Sequence, residues 1–167
     1  LSAYEKLLKD GGTEHVGMFT ARHIKGEWYF EVPDSLLGRL MLVVTRFNGV
    51  PQGFKMLSGE EVNRSAVYFE QYNSSTLFLR EYVQSQYSDP EDNISSALKQ
   101  STIDPIIYKL DVIGRNPKTN SQLVNVSKLL LADNKLTGFT SNDKSILSVG
   151  GLVTDRSFID TIKTYPI

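Results

Sequence analysis

Apolar residues along this chain recur with two different periods, and the switches between them outline its elements. Within Ala3 to Asp10, Tyr4, Leu7 and Leu8 fall at i, i+3 and i+4, and Gly11-Gly12 stops the pattern, which predicts a short amphipathic N-terminal helix. Val16 to Ile24 and Trp28 to Val32 then flank Lys25-Gly26. In the second run Trp28, Phe30 and Val32 fall on one face and Tyr29 and Glu31 on the other, which predicts a hairpin with one buried face. Arg39 to Phe47 is apolar on both faces, with Leu40, Leu42 and Val44 against Met41 and Val43. Such a strand is expected in the middle of a sheet, covered on both sides.

The link between these strands, Pro33-Asp34-Ser35-Leu36-Leu37-Gly38-Arg39, reads as architecture. Pro33 fixes φ and donates nothing to a ladder, Asp34 is placed to cap a helical turn, and Gly38 can end that turn in a left-handed conformation. Asn48 to Glu61 holds three Gly and one Pro among polar residues and predicts a long loop, where function tends to collect. Ser65 to Gln71 and Thr76 to Ser85 predict a second hairpin across Tyr72-Asn73-Ser74-Ser75. Asp89, Pro90, Glu91 and Asp92 have the chemistry of a helix start ahead of Ile94, Ala97 and Leu98, which predicts a helix over 90–100. Ile106 to Ile113 and Leu123 to Val126 flank the turn residues Asn116 to Asn120, and Ser127 to Leu131 predicts a short helix. The rest is weakly patterned until Asp155, which is placed to cap a helix carrying Phe158, Ile159 and Ile162.

Hairpins dominate and no Gly-rich turn joins a strand to a helix, so the expected class is α+β: a mainly antiparallel sheet with an N-terminal helix and one mid-chain helix packed on it. At 167 residues the chain suits a single domain, 1–167, with a core large enough to need no metal or disulfide. The first residue is Leu1, without an initiator Met or a leader, which suggests a piece of a longer multidomain chain. Eighteen basic residues against nineteen acidic ones lack the positive excess that draws a protein to nucleic acid or anionic lipid. The longest apolar run, Leu40 to Val44, is far short of the about 20 residues of a membrane span. The absence of Cys excludes disulfides, thiolate metal sites and Cys nucleophiles.

No catalytic pattern stands out. His15 and His23 are expected near opposite ends of one strand, roughly 26 Å apart, too far to share a metal unless the strand bends back. The paired acids Glu60-Glu61 and Glu91-Asp92 suit a solvated loop and a helix start. Gly11-Gly12 and Gly150-Gly151 lack phosphate-loop spacing. Tyr68, Tyr72, Tyr82 and Tyr87 could present one aromatic face on the second hairpin, a surface suited to a glycan or a peptide.

Several passages, in order, resemble one family. They are Tyr4 to Lys9, Tyr29 to Arg39 with its apolar strand, Glu61-Val62-Asn63-Arg64 before Val67 to Glu70, and Leu77 to Arg80. Val124 to Ser127, Asp155 to Ile159, Ile162-Lys163 and Tyr165-Pro166 complete the series. The chain is similar to the domain of unknown function that precedes the catalytic domain in large bacterial zincin-type zinc metalloproteases. The resemblance implies a non-catalytic accessory module of an exported peptidase, located in the periplasm, at the cell surface or outside the cell. Its partner would be the catalytic domain of the same polypeptide. Zinc and the catalytic Glu belong to that downstream domain, so no cofactor, catalytic or metal residue is carried over to this chain. Asp34, Arg39, Asn63 and Arg64 become candidates for a structural motif or an interdomain contact. Such a module should expose one apolar patch where its neighbour packs. A glycan- or peptide-binding module using the tyrosines and the 48–61 loop, and a small hydrolase built on scattered acids and His, are the competing readings.

Overall fold

The N-terminal helix forms where the spacing places it. In the computed structural model, which describes residues 1–83 and 102–166, α1 spans Ala3–Leu8. The Ser2 hydroxyl accepts the N–H of Glu5, and the Glu5 carboxylate accepts the N–H of Ser2. This reciprocal cap satisfies two donors that a helix start otherwise leaves orphaned.

Among the described residues eight strands follow: β1 (Thr13–Val16), β2 (Thr20–Ile24), β3 (Glu27–Pro33), β4 (Met41–Arg46), β5 (Glu61–Asn73), β6 (Thr76–Glu81), β7 (Ile106–Asn116) and β8 (Ser121–Asn125). They form one sheet in the order β1-β2-β3-β8-β7-β6-β5-β4. Every neighbouring pair is antiparallel. The class is α+β and mainly sheet, as the pattern predicts. Lys25 and Gly26 both have positive φ (51° and 81°) between the paired residues Ile24 and Glu27. That two-residue turn matches the right-handed twist of its strands. Two further short helices, α2 (Ser127–Leu130) and α3 (Ser141–Leu147), lie among the described residues. The helix expected over 90–100 lies outside the described residues, as does the end of the strand expected to reach Ser85.

Alternation gives the sheet an inner and an outer face. Phe30, Val32, Met41, Val67, Phe69, Leu77, Leu79, Leu110 and Val124 point inward and form the main core with Leu36, Leu129, Leu130 and Leu136. On the outer face α1 lays Tyr4, Leu7 and Leu8 over Ile24, Tyr29 and Leu123. Its close approach is possible because β7 carries Gly114 there: a Cβ would lie 3.0 Å from the backbone nitrogen of Tyr4.

Four expectations are corrected. The run from Val16 to Ile24 is not one strand, because β1 ends at Val16 and β2 starts at Thr20, with His15 opposite Ala21. The reversal is held by the distant C-terminal segment: Thr164 donates its N–H to His15 Nδ1 and its hydroxyl to Phe19 O. β3 is buried on both faces rather than one, since α1 covers Tyr29 and Glu31. β4, expected in the centre, is the edge of the sheet. Last, Asp155 starts no helix; Thr154–Arg156 is a single 3-10 turn and Phe158 is 81% exposed. The helix in this region is α3, opened by the Thr140 side chain on the N–H of Asp143 and closed by Ser148 in the left-handed region.

The link after β3 has a demanding task. β3 and β4 stand five strand spacings apart in the sheet order, about 24 Å if the sheet were flat. Eight Cα steps from Pro33 to Met41 reach at most about 27–29 Å fully extended, and three of the residues coil into a 3-10 turn, Asp34–Leu36. A link this short therefore requires the sheet to curl. Leu36 is 2% exposed and seals the end of the core. Asp34 donates its backbone N–H to Asn120 O, and Gly38, at φ 75°, donates its N–H to Phe69 O.

Candidate functional site

Glu31 is the most unusual side chain of the fold, a carboxylate 4% exposed. On one oxygen it accepts the Tyr4 hydroxyl (3.1 Å) and the Arg22 Nε and Nη2 (3.0 and 2.8 Å). On the other it accepts Asn116 Nδ2 (2.7 Å) and Thr119 Oγ1 (3.3 Å). Arg22 also pairs with Glu14. Burial pushes the Glu31 carboxyl up, but the bonds from Asn116, Arg22 and Tyr4 and the guanidinium charge outweigh it and hold it below the usual glutamate range. A carboxylate has about four lone-pair positions. Five donors leave none for a substrate, so the cluster is a clamp joining α1, β2, β3 and the β7–β8 turn. A lone acid inside the apolar run Tyr29-Phe30-Glu31-Val32 was its signal in the sequence.

Asp34 does not cap the turn it starts, since no side-chain cap bond forms there. Its carboxylate instead accepts Gln122 Nε2 (3.0 Å) and the Arg115 guanidinium. Burial raises its pKa, and these two bonds more than reverse the rise. Gln122, 1% exposed, exchanges amide bonds with Gln71, which carries the tie across to β5. Arg39 is exposed at the far side of the link. Asn63 donates to Gly138 O (2.6 Å), Thr45 to Leu136 O (2.8 Å) and Ser65 to Lys135 O (2.7 Å). The 135–138 segment is thus stitched over the inner face at β4 and β5. Arg64 pairs with Glu61 (2.8 Å), which Arg46 also reaches at 3.5 Å. The bond from Arg64 is the main cause that lowers the Glu61 pKa.

The outer face at β4 to β6 is different. In register, Leu42 stands beside Ala66, Val44 beside Arg64, Tyr68 beside Arg80, and Arg80 beside Ile106. Tyr82 donates its N–H to Ala66 O and so extends the Leu42 row. Leu42 is 61% exposed, Leu40 55% and Ile106 47%, and Val44 and Tyr82 are also exposed. Beside this surface lies an open cleft of about 600 Å³, lined by Leu37, Gly38, Tyr68, Glu70, Arg80, Ile103 and Asp104 among others. Its polar groups satisfy one another: Tyr68 donates to Asp104 Oδ2 (2.9 Å), and Arg80 pairs with Glu70 and donates to Asp104 O. Burial, with the Asp104 bond and charge, pushes the Tyr68 phenol up to about 12.

Tyr68, Tyr72 and Tyr82, the three of the four tyrosines among the described residues, do not form a groove. Tyr68 lines the cleft, while Tyr72 stacks on Phe78 at 4.5 Å and is 63% exposed. Tyr82 belongs to the apolar rows, and Tyr87 lies outside the described residues. Neither histidine approaches an acid cluster: His15 faces Thr164, and His23 stacks on Trp28 at 4.4 Å. Among the described residues no group of three His, Cys, Asp or Glu is placed to hold a metal ion, and no helix is long and apolar enough to cross a membrane.

Comparison with known families divides the chain at the loop after β4. A model described as Domain of unknown function (DUF5118) matches residues 1–50, and one described as Domain of unknown function (DUF5117) matches residues 59–167, more than half of the chain. The chain belongs to the DUF5117 family. No curated protein and no solved structure matches it. The DUF5117 segment supplies β5 to β8, and the DUF5118 segment supplies α1 and β1 to β4.

Proposed function

We propose that this chain is a non-catalytic accessory domain of an exported bacterial zinc metalloprotease, packing on the peptidase domain of the same polypeptide through the outer face at β4. The observation that carries the packing role is the row of exposed apolar side chains, Leu42 and Val44 on an edge strand with Leu40 just before it, that continues through Ala66 to Tyr82. Adjacent strands lie about 4.8 Å apart, so these side chains form one surface rather than scattered points. Edge strands that stay free are ordinarily blunted by Lys, Pro or an inward charge. β4, Met-Leu-Val-Val-Thr-Arg, has only Arg46 and the irregularity beside it at its end. The protease assignment rests on the resemblance of the Pro33 to Arg39 passage and its flanks. In this reading zinc is bound by the downstream domain.

Two measurements test the two halves of the proposal separately. A His-Glu-x-x-His motif downstream in the parent polypeptide supports the protease assignment, and its absence from the whole polypeptide ends that assignment. Amide exchange of β4 in the full polypeptide should be slower than in residues 1–167 alone. Equal exchange in both would remove the packing role.

A further inference from the structure

We infer that the segments matched by the two family models are halves of one folding unit, with residues 1–50 serving as the obligatory partner of residues 59–167. The second segment contributes a four-stranded meander, β5 to β8, whose two outer strands are β5 and β8. The first segment closes both of these edges: β3 pairs with β8 from Tyr29 opposite Asn125 to Pro33 opposite Ser121, and β4 pairs with β5 from Met41 opposite Val67 onward. The two closing strands come from one stretch of chain and embrace the meander from opposite sides.

What would be uncovered shows why neither half suffices. β8 is almost wholly buried, with Leu123 and Val124 at 0% exposure, and a strand without its neighbour leaves a row of unpaired backbone groups beside that apolar surface. The main core mixes the segments, since Phe30, Val32 and Leu36 pack with Phe69, Leu77 and Val124. The buried polar bonds cross the same boundary. Glu31 of the first segment takes Asn116 and Thr119 of the second, and Asp34 takes Arg115 and Gln122. Removing the second segment takes the Asn116 and Thr119 donors from the buried Glu31 carboxylate, and removing the first leaves the buried Gln122 without its Asp34 partner, each the loss of a buried group's hydrogen bond, which costs stability. The covalent connection is dispensable by comparison, because the 51–58 stretch between the matched regions is mostly exposed and belongs to no strand or helix.

The inference does not depend on the protease reading. To test it, a specific protease site is placed within residues 51–58 of the intact chain and cut after folding. The two fragments should co-elute in native buffer, unfold in one cooperative urea transition, and separate only in denaturant. Fragments that part in native buffer, or two independent transitions, would overturn it. As a second measurement, residues 59–167 made alone should lack protected amides and regain them when a 1–50 peptide is added. A native-like exchange pattern for 59–167 without the peptide would also overturn the inference.

Discussion

β3 and β4 come from one 50-residue segment, both place apolar side chains on both faces (in β3 with Glu31 beside Tyr29 on the outer one), and the fold treats them oppositely. β3, which carries the charged Glu31, is buried from Trp28 to Val32; β4, with no charge before Arg46, lies on the edge with Leu42 61% exposed. The difference is what covers each outer face. Over β3 lies α1, with a clamp that matches the buried charge of Glu31; over β4 none of the described elements plays that part. Two-sided apolar character therefore states a demand for two covers. At β3 the described residues supply both, and at β4 they supply the inner one, through Met41, Val43 and the 135–138 segment.

Several measurements can break or sharpen this contrast. The largest effect is expected at the clamp. Glu31→Ala leaves the half-buried Arg22 without its main partner and removes the acceptor shared by Tyr4, Asn116 and Thr119, and should cost about 3–5 kcal/mol in urea unfolding. A loss under about 1 kcal/mol would mean the cluster is not a buried unit. At the same end of the sheet, Leu123→Ala should cost about 2–5 kcal/mol through its cavity, whereas Leu42→Ala on the bare face should change the stability of the isolated chain by less than about 0.5 kcal/mol. Equal costs would erase the distinction between the two outer faces.

Acid sharpens the comparison next. Because the folded Glu31 pKa is lowered, its contribution is complete above the unfolded-state value and is lost as pH falls through the folded one. Glu31→Gln should therefore be less stable at neutral pH and less sensitive to acid than the parent, and parallel acid-unfolding curves for the two would contradict the clamp. At the alkaline end the sign reverses. Tyr68, raised to about 12, contributes stability that is present below the usual tyrosine range and is lost as pH rises through its folded value. Ultraviolet titration of the phenols should show a late component that Tyr68→Phe removes. The smallest expected effect is Leu42→Asp, which should lower any concentration-dependent association of the isolated chain with little change in its unfolding midpoint.

Local elements were legible where the signal is local. The i, i+3, i+4 spacing of Tyr4, Leu7 and Leu8, the Lys25-Gly26 turn and the Asn116 to Asn120 reversal each place their element within a residue or two. Expectations failed where a distant segment intervenes. Thr164 folds Val16 to Ile24 back on itself, and Thr140, not Asp155, starts the helix near the C-terminus. The Glu31 clamp was visible only as an oddity, because its partners Arg22, Asn116 and Thr119 are brought to it by strand pairing.

The sequence by itself determined which residues share a face, where the Lys25-Gly26 and Asn116 to Asn120 turns fall, and that a sheet of hairpins results, because alternation and turn chemistry act over a few residues. Strand order, and with it the placing of β4 at the edge, was decided only by the tertiary structure. Alternation is identical for a central strand and for an edge strand awaiting a partner, and only the long-range pairing of β3 with β8 and β4 with β5 distinguishes them.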